Sequence, residues 1–370
     1  MILRIEEIKK VCSKVLWAVD SGDMSEYCGL VRLHTEGSNL YFTVASNEYS
    51  MVAKIPSDDN EPFEAVVDAN VFLKLISQVT TDTIELVTDN RVLNIKANGN
   101  YKLPMIFEGD ALIKYKPIEL NNVTNEFVVS NDILKKILIY NTKQLSLSTG
   151  GKEVFNYYYF DNHGCITANL GACVTDFELD TQVKLLFNQR LVRLFKLFDD
   201  SDAKLTIAKD ELSGDIIQTK VKFVSNDIEI KSIISCEDSF TNSYPVVAVR
   251  STANADYDYL SVFKRGSLVE TLNRLNLFVS VNKSINQVVK LVFNPKGVTI
   301  SDYDGNNSEI VYYQNDLDNI DTYTAYVDLK MFKSVLDTIN SQYISMRFGN
   351  GRAFVLDYDD IKSVIPESKH

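Results

Sequence analysis

Val66-Val67-Asp68-Ala69-Asn70-Val71-Phe72-Leu73-Lys74-Leu75-Ile76 sets out a pattern that this chain uses three times. It returns as Leu186-Phe187-Asn188-Gln189-Arg190-Leu191-Val192-Arg193-Leu194-Phe195 and as Tyr326-Val327-Asp328-Leu329-Lys330-Met331-Phe332-Lys333-Ser334-Val335-Leu336. Each copy opens on an apolar strand end. Asp68, Asn188 or Asp328 follows, a helix N-cap type whose side-chain oxygen can accept from free amides of the first turn. Apolar residues then stand three, four and seven places after the cap, so Val71, Phe72 and Leu75, with their counterparts, are expected on one helix face.

Each of these helices precedes a strand pair. Residues 83–87 and 92–96 flank a turn at Asp89-Asn90, 204–207 precede 218–223, and 344–348 turn through Gly349-Asn350-Gly351 into 353–356. These are hairpin signals. A second kind of helix lies before each copy, through Ile5, Ile8, Val11, Cys12 and Val15, through Ile133, Leu134, Ile137 and Leu138, and through Leu268, Val269, Leu272 and Leu275. Strand, turn and strand follow it. The caps stand at positions 68, 188 and 328, so the pattern recurs at long and similar intervals. The expectation is an α+β chain of three similar domains, 1–120, 121–246 and 247–370, each made of two helix-plus-antiparallel-strand halves. The period exceeds that of solenoid repeats. Residues 236–258 form the expected connector.

A chain of 370 residues is long enough for two to four domains of ordinary size. Hydrophobic residues make up 45% and charged residues 24%, the composition of a globular chain. No apolar run approaches the ~18 residues of a membrane span, and the N-terminus has no apolar core of a signal peptide. The odd set Cys12, Cys28, Cys165, Cys173 and Cys236 contains no C-x-x-C pair and suits a reducing cytoplasm. With three histidines, one of them His370, a zinc site is not expected, and no cofactor is called for.

Catalytic motifs are missing. Ser148-Thr149-Gly150-Gly151-Lys152 has a glycine-lysine pair, but Ser146 and Glu153 stand where a phosphate loop needs Gly and Ser or Thr. Asp302-Tyr303-Asp304-Gly305 places its glycine too early for a calcium loop. His163-Gly164-Cys165 puts two reactive types on one tight turn, where they rarely face each other. All three read as turns. Asp199-Asp200-Ser201-Asp202, the one dense carboxylate group, reads as a loop after a helix.

Charge is unevenly spread. The six predicted helices sum to +8 while the whole chain is −12, which leaves −20 elsewhere. Lysines on amphipathic helices can simply solvate an exposed face. Alternatively, the helices share a surface for a polyanion, with Lys10, Lys14, Lys74, Lys136, Arg190, Arg193, Lys196, Arg274 and Lys333 contacting phosphates without reading bases.

In order and spacing the chain resembles the bacterial DNA polymerase sliding clamp, the beta subunit of the replicative polymerase. The resemblance spans nearly all of it and is most specific over residues 66–103. Residues 43–53 look like the family's first-domain strands, and Phe240-Thr241-Asn242-Ser243-Tyr244-Pro245 like its end-of-second-domain motif with a displaced proline. Ala168-Asn169-Leu170-Gly171-Ala172-Cys173 departs from the family's usual Thr-Asp-Gly-His-Arg-Leu, and Val364-Ile365-Pro366-Glu367-Ser368-Lys369-His370 from its apolar C-terminus. The resemblance implies a pocket for polymerase and loader peptides, lined by Tyr159, Ala168, Leu170, Cys173, Tyr244, Val246, Val247, Val364, Ile365 and Pro366, with diverged specificity. Such divergence suggests a phage or mobile-element version. It also implies a head-to-tail homodimer, with Tyr101, Lys102 and Leu103 on one side of the interface and Leu277, Phe278 and Glu309 on the other.

Ring arithmetic agrees with a dimer. Six helices packed ~10 Å apart leave a hole of about 9 Å, whereas twelve leave about 28 Å, and only the second admits a ~20 Å duplex. The implied partners are double-stranded DNA, a DNA polymerase, a clamp loader and a second copy, with no membrane and no catalysis. An acidic, strand-rich structural or virion protein is the rival reading, and a metal nuclease a weaker one.

Overall fold

A strand, a helix and three further strands recur six times in the computed structural model of this chain. The structure describes residues 1–20, 22, 26–57, 61–147, 151–213, 216–234, 238–279, 287–315, 317, 320–349, 351 and 353–368. Ser148, Thr149, Gly150, Cys236, Asn350, Lys369 and His370, named above, lie outside the described residues.

The first unit is β1 (Ile2–Arg4), α1 (Ile5–Ala18), β2 (Leu30–Glu36), β3 (Asn39–Ala45) and β4 (Tyr49–Pro56). The second is β5 (Glu64–Asp68), α2 (Ala69–Gln78), β6 (Thr83–Asp89), β7 (Val92–Lys96) and β8 (Asn100–Pro104), followed by a short hairpin of β9 (Phe107–Glu108) and β10 (Ala111–Leu112). The third is β11 (Val123–Val129), α3 (Asn131–Lys136), a π-helical turn (Ile137–Asn141), α4 (Thr142–Leu145), β12 (Tyr158–Asp161), β13 (Gly164–Ala168) and β14 (Ala172–Asp176). The fourth is β15 (Lys184–Phe187), α5 (Gln189–Val192), a 3-10 helix (Arg193–Phe198), β16 (Ala203–Ser213), β17 (Ile216–Ser225) and β18 (Ile228–Ile233). Short helices α6 (Asp238–Asn242) and α7 (Val246–Ala253) precede the fifth: β19 (Tyr259–Lys264), α8 (Arg265–Val279), β20 (Val288–Asn294), β21 (Gly297–Ser301) and β22 (Ser308–Tyr312). The sixth is β23 (Tyr323–Asp328), α9 (Leu329–Thr338), β24 (Tyr343–Phe348), β25 (Ala353–Tyr358) and β26 (Ile361–Pro366).

The expected caps form. Asp68 Oδ1 accepts from the Val71 amide at 2.8 Å, Asn188 Oδ1 from Leu191 at 2.7 Å and Asp328 Oδ1 from Met331 at 2.7 Å. The expected face of α2 needs correcting. Val71 is 52% exposed, while Ala69, Phe72, Leu73 and Ile76 are buried. The stripe is centred on the fourth and eighth residues after the cap, and the third turns outward. The β6–β7 turn is Asn90-Arg91, both at positive φ, as a two-residue hairpin loop requires. Residues 238–253 are largely helical, so the expected connector is not irregular chain.

Leading strands are exchanged between sister units. β1 pairs with β6 and β5 with β2; β11 pairs with β16 and β15 with β12; β19 pairs with β24 and β23 with β20. Two compact bodies contain these sheets. The first, residues 1–131 and 193–237, holds the sheet β1-β6-β7-β8 and the eight-stranded sheet β11-β16-β17-β18-β4-β3-β2-β5. The second, residues 132–192 and 238–370, holds β15-β12-β13-β14-β26-β25-β24-β19 and β22-β21-β20-β23. Each eight-stranded sheet is two four-stranded blocks fused through their last strands, by β18–β4 and β14–β26. The last strands of the other two blocks, β8 and β22, are sheet edges.

In the second body the large core lies between helices and sheets, around Leu268, Leu272, Phe293, Phe332 and Phe348. The π turn delivers Asn141 into that body's interior. Its Nδ2 donates to the Cys173 carbonyl at 3.1 Å and its Oδ1 accepts from the Thr175 hydroxyl at 2.6 Å.

Candidate nucleic-acid interface and partner cavity

The nine candidate phosphate contacts separate by what already holds them. Lys10 on α1 and Lys74 on α2 are exposed and, among the described residues, make no ion pair. Lys196 is exposed, its ammonium 4.4 Å from the centre of the Trp17 ring. Lys14 pairs with Asp199. Arg193 donates to the Tyr49 hydroxyl at 2.9 Å and lies 3.8 Å from Asp20. Arg190 sits half-buried on α5.

In the second body Lys136, Lys333 and Arg274 are occupied. Lys136 bridges Asp132 at 2.8 Å and Asp360 at 3.2 Å. Lys333 pairs with Asp337 one helical turn on, at 2.8 Å. Arg274 grips Glu309 with two bonds of 2.8 and 2.7 Å, which hold that carboxyl below its usual range. Arg274 and Glu309, expected in different roles, are therefore one side-chain pair between α8 and β22.

The ten candidate pocket residues are also divided, here by strand parity. A cavity of about 460 Å³ is lined by Tyr159, Tyr244, Val246 and Val247, together with Asp161, Lys184, Thr241, Asn242, Pro245, Ala248 and Arg250. Ala168 and Val364 pack in the same small apolar cluster as Tyr159 and Tyr244. Cys173 and Ile365 join the other core, because neighbours along a strand point to opposite faces. Leu170 is exposed at the β13–β14 turn, and Pro366 ends β26 beside Gly171.

Tyr244 fills much of its own site. Its ring stacks on Tyr159 with centroids 5.4 Å apart. Its hydroxyl accepts from the Ala168 amide at 2.8 Å and lies 3.2 Å from the Ile166 carbonyl. Burial pushes that phenol far up. The cavity's polar wall was not foreseen. Arg250 holds Asp161 with bonds of 2.8 and 2.6 Å, and Lys184 donates to Asn242 Oδ1 at 2.7 Å. The missed signal was an isolated arginine in an apolar run, Val246-Val247-Ala248-Val249-Arg250.

Two of the turns read from sequence lie among the described residues. Asp302 accepts from the amides of Asn306 and Asn307, closing its loop on itself. His163 faces Glu178, and Cys165 is buried with its thiol pushed well up. No cluster that could hold a metal ion occurs among the described residues, nor is any helix there long and apolar enough to cross a membrane.

No protein-family model matches the chain, and no curated protein matches it in sequence. Solved structures match it end to end. The DNA polymerase sliding clamp from Bacillus subtilis is 16% identical, covers 100% of this chain and 98% of its own, and gives a TM-score of 0.78. This chain has the sliding-clamp fold. A DNA polymerase III beta chain from Streptococcus pneumoniae, at 13% identity, covers 100% and 99% with a TM-score of 0.78. The Helicobacter pylori beta clamp bound to a DNA ligase peptide, at 15% identity, covers 100% and 99% with a TM-score of 0.75. The sliding-clamp fold here carries a cavity crowded by tyrosines, and Lys10, Lys74 and Lys196 of the first body are exposed cations that make no ion pair among the described residues.

Proposed function

We propose that this chain is a DNA sliding clamp, a non-enzymatic processivity factor that encircles duplex DNA and tethers a replicative polymerase. The observation that carries this reading is the pair of bare edges. Four of the six blocks are fused last strand to last strand, and β8 and β22 are the two last strands without such a partner among the described residues. Exposed strand edges are a liability unless another chain covers them. A second copy, added head to tail, would pair β8 with β22 and close a ring in which both edges are covered.

The side chains at those edges suit the role. Ile310 and Tyr312 on β22 are 57% and 64% exposed, beside Leu277 and Phe278 at the end of α8. Tyr101, Lys102 and Leu103 lie on β8. In this reading residues 1–120, 121–246 and 247–370 are the three clamp domains. DNA is held by topology, with Lys10, Lys74 and Lys196 as mobile phosphate contacts. Enclosure then gives the polymerase a high effective concentration at the primer end. A loader and a polymerase dock at the Tyr159–Tyr244 cavity. A cytoplasmic setting suits Cys12, Cys165 and Cys173, which are buried thiols, and the departures in the pocket fit a phage or mobile element.

Electron microscopy of the purified protein at high concentration is the test. A two-subunit ring with a hole that admits a duplex is the expected image. Ile310→Lys together with Tyr312→Glu should return it to single subunits. Compact monomers of the unaltered chain, or an assembly without a hole, would overturn the reading in favour of a structural protein.

A further inference from the structure

The single tryptophan of the chain stands in the open. Trp17, in the last turn of α1, is 48% exposed. A large aromatic surface left in water usually has something to meet. Its surroundings say what. Lys10, Ser13, Lys14, Trp17, Lys196 and Leu197 line a shallow groove of about 370 Å³ between α1 and the Arg193–Phe198 helix, and Asp199 is the one carboxylate on it among the described residues. That carboxylate is taken by Lys14. The remaining two ammonium groups give the groove a net positive charge within a chain of net charge −12.

The indole is held so that its polar atom remains usable. Its N–H reaches the Arg193 carbonyl only at 3.4 Å, a long bond. Arg193 is turned away to the Tyr49 hydroxyl, so it positions the helix and leaves the groove clear. A surface with two ammoniums that make no ion pair among the described residues, one of them 4.4 Å from the centre of the exposed indole ring, and a weakly held indole N–H matches one ligand chemistry, the phosphodiester backbone of DNA. Phosphate oxygens would accept from Lys10, Lys196 and the indole, and the sugar edge would lie against the ring.

We propose that this groove is a defined DNA contact of the chain, centred on Trp17. The proposal rests on the clamp reading and sharpens it, because it assigns one fixed contact where encirclement alone needs only diffuse charge. An acidic peptide is the competing occupant.

Because Trp17 is the sole tryptophan, its emission reports the groove directly. The full chain is titrated at low salt with a labelled linear duplex, reading duplex anisotropy and tryptophan emission together. The expected result is a saturable change in emission that tracks anisotropy and disappears at high salt. Lys196→Glu should weaken duplex binding about fivefold and lower the slope of log affinity against log salt by about 1. Trp17→Phe should weaken it about tenfold, for one lost hydrogen bond to a charged oxygen.

Duplex bound without any change in emission would overturn the proposal. So would an absence of duplex binding, Trp17→Phe binding as the unaltered chain does, or polyglutamate changing the emission as strongly as DNA. Ring images and retention on circular DNA are scored separately. Rings retained on circles with a silent Trp17 would remove this contact and leave the clamp reading standing. A responsive Trp17 in a chain that forms no ring would do the reverse.

Discussion

Two connecting stretches cross the eight-stranded sheets, and they are fastened in opposite ways. In the first body, residues 105–122 bury Ile113 and Ile118, and their polar fastenings are made mainly by backbone atoms. The Ile106 amide donates to the Val66 carbonyl at 2.8 Å, and Lys220 reaches the Glu119 carbonyl at 2.9 Å. The amides of Asn121 and Asn122 both donate to Asp210, whose carboxylate is buried beside Lys220. In the second body, residues 238–257 include two short helices held by side chains. Arg250 clamps Asp161, Tyr244 receives the Ala168 amide, and Phe240 meets Tyr157 edge to face. The linker backbone is engaged as well: Arg347, itself paired with Asp357, donates to the Ala253 carbonyl at 2.6 Å. Bonds made by backbone atoms tolerate most residues, Ile113 and Ile118 apart. A side-chain-held crossing depends on a few identities.

That contrast predicts unequal responses. Arg250→Ala leaves Asp161 buried without its cation and should cost about 3 kcal/mol, the low end for a broken buried pair. Denaturant midpoints measure the loss, and amide exchange should rise across residues 158–176 and 238–253. If exchange rises no further there than elsewhere, the side-chain fastening is wrong. Tyr244→Phe strands the Ala168 amide and should cost about 1–2 kcal/mol, again with faster exchange in β13.

Asp210→Asn should cost less than Arg250→Ala, about 2 kcal/mol: the largely buried Lys220 ammonium loses its countercharge, but an amide oxygen can still accept from Asn122 and Lys220 keeps the Glu119 carbonyl. A larger loss than in Arg250→Ala would reverse the comparison. The smallest effect is in acid. Lys220 and the two linker amides hold the Asp210 carboxyl below its usual range. Its contribution is therefore complete above the ordinary carboxylate pKa of ~4 and is lost as pH falls through the lower folded value. Asp210→Asn should flatten that part of the acid limb, read as stability against pH, while Arg250→Lys should leave it unchanged.

The helical stretch shows where sequence reading stops. Val246-Val247-Ala248-Val249 has three β-branched residues in four and gives no helix signal beyond Pro245 at its start, so tertiary contacts overrode propensity there: Val246 and Val249 pack against the small apolar cluster and Arg250 is anchored on Asp161. The three N-caps were legible because a cap is a hydrogen bond to an amide only three places along the chain. The hairpins were legible for the same reason. Strand exchange between sister units was not, because β1 and β6 lie far apart in sequence, beyond the reach of any turn rule. Among the site residues, basic character on the helices was visible. Its neutralisation was not, since the partners of Lys136 and Arg274, Asp360 and Glu309, come from segments distant in sequence. Parity separated the pocket residues, and alternation along β14 already distinguished Ala172 and Val174 from Cys173.

The exchanged leading strands have a consequence for descent and for dissection. Every block borrows its first strand from its sister, so a single half is never a finished object. A gene fragment encoding one half would leave its own sheet a strand short and its leading strand unhoused. Duplication could thus add to such a protein only in whole pairs. A protease cut between sisters, as between Pro56 and Glu64, would sever the chain without freeing a piece able to leave.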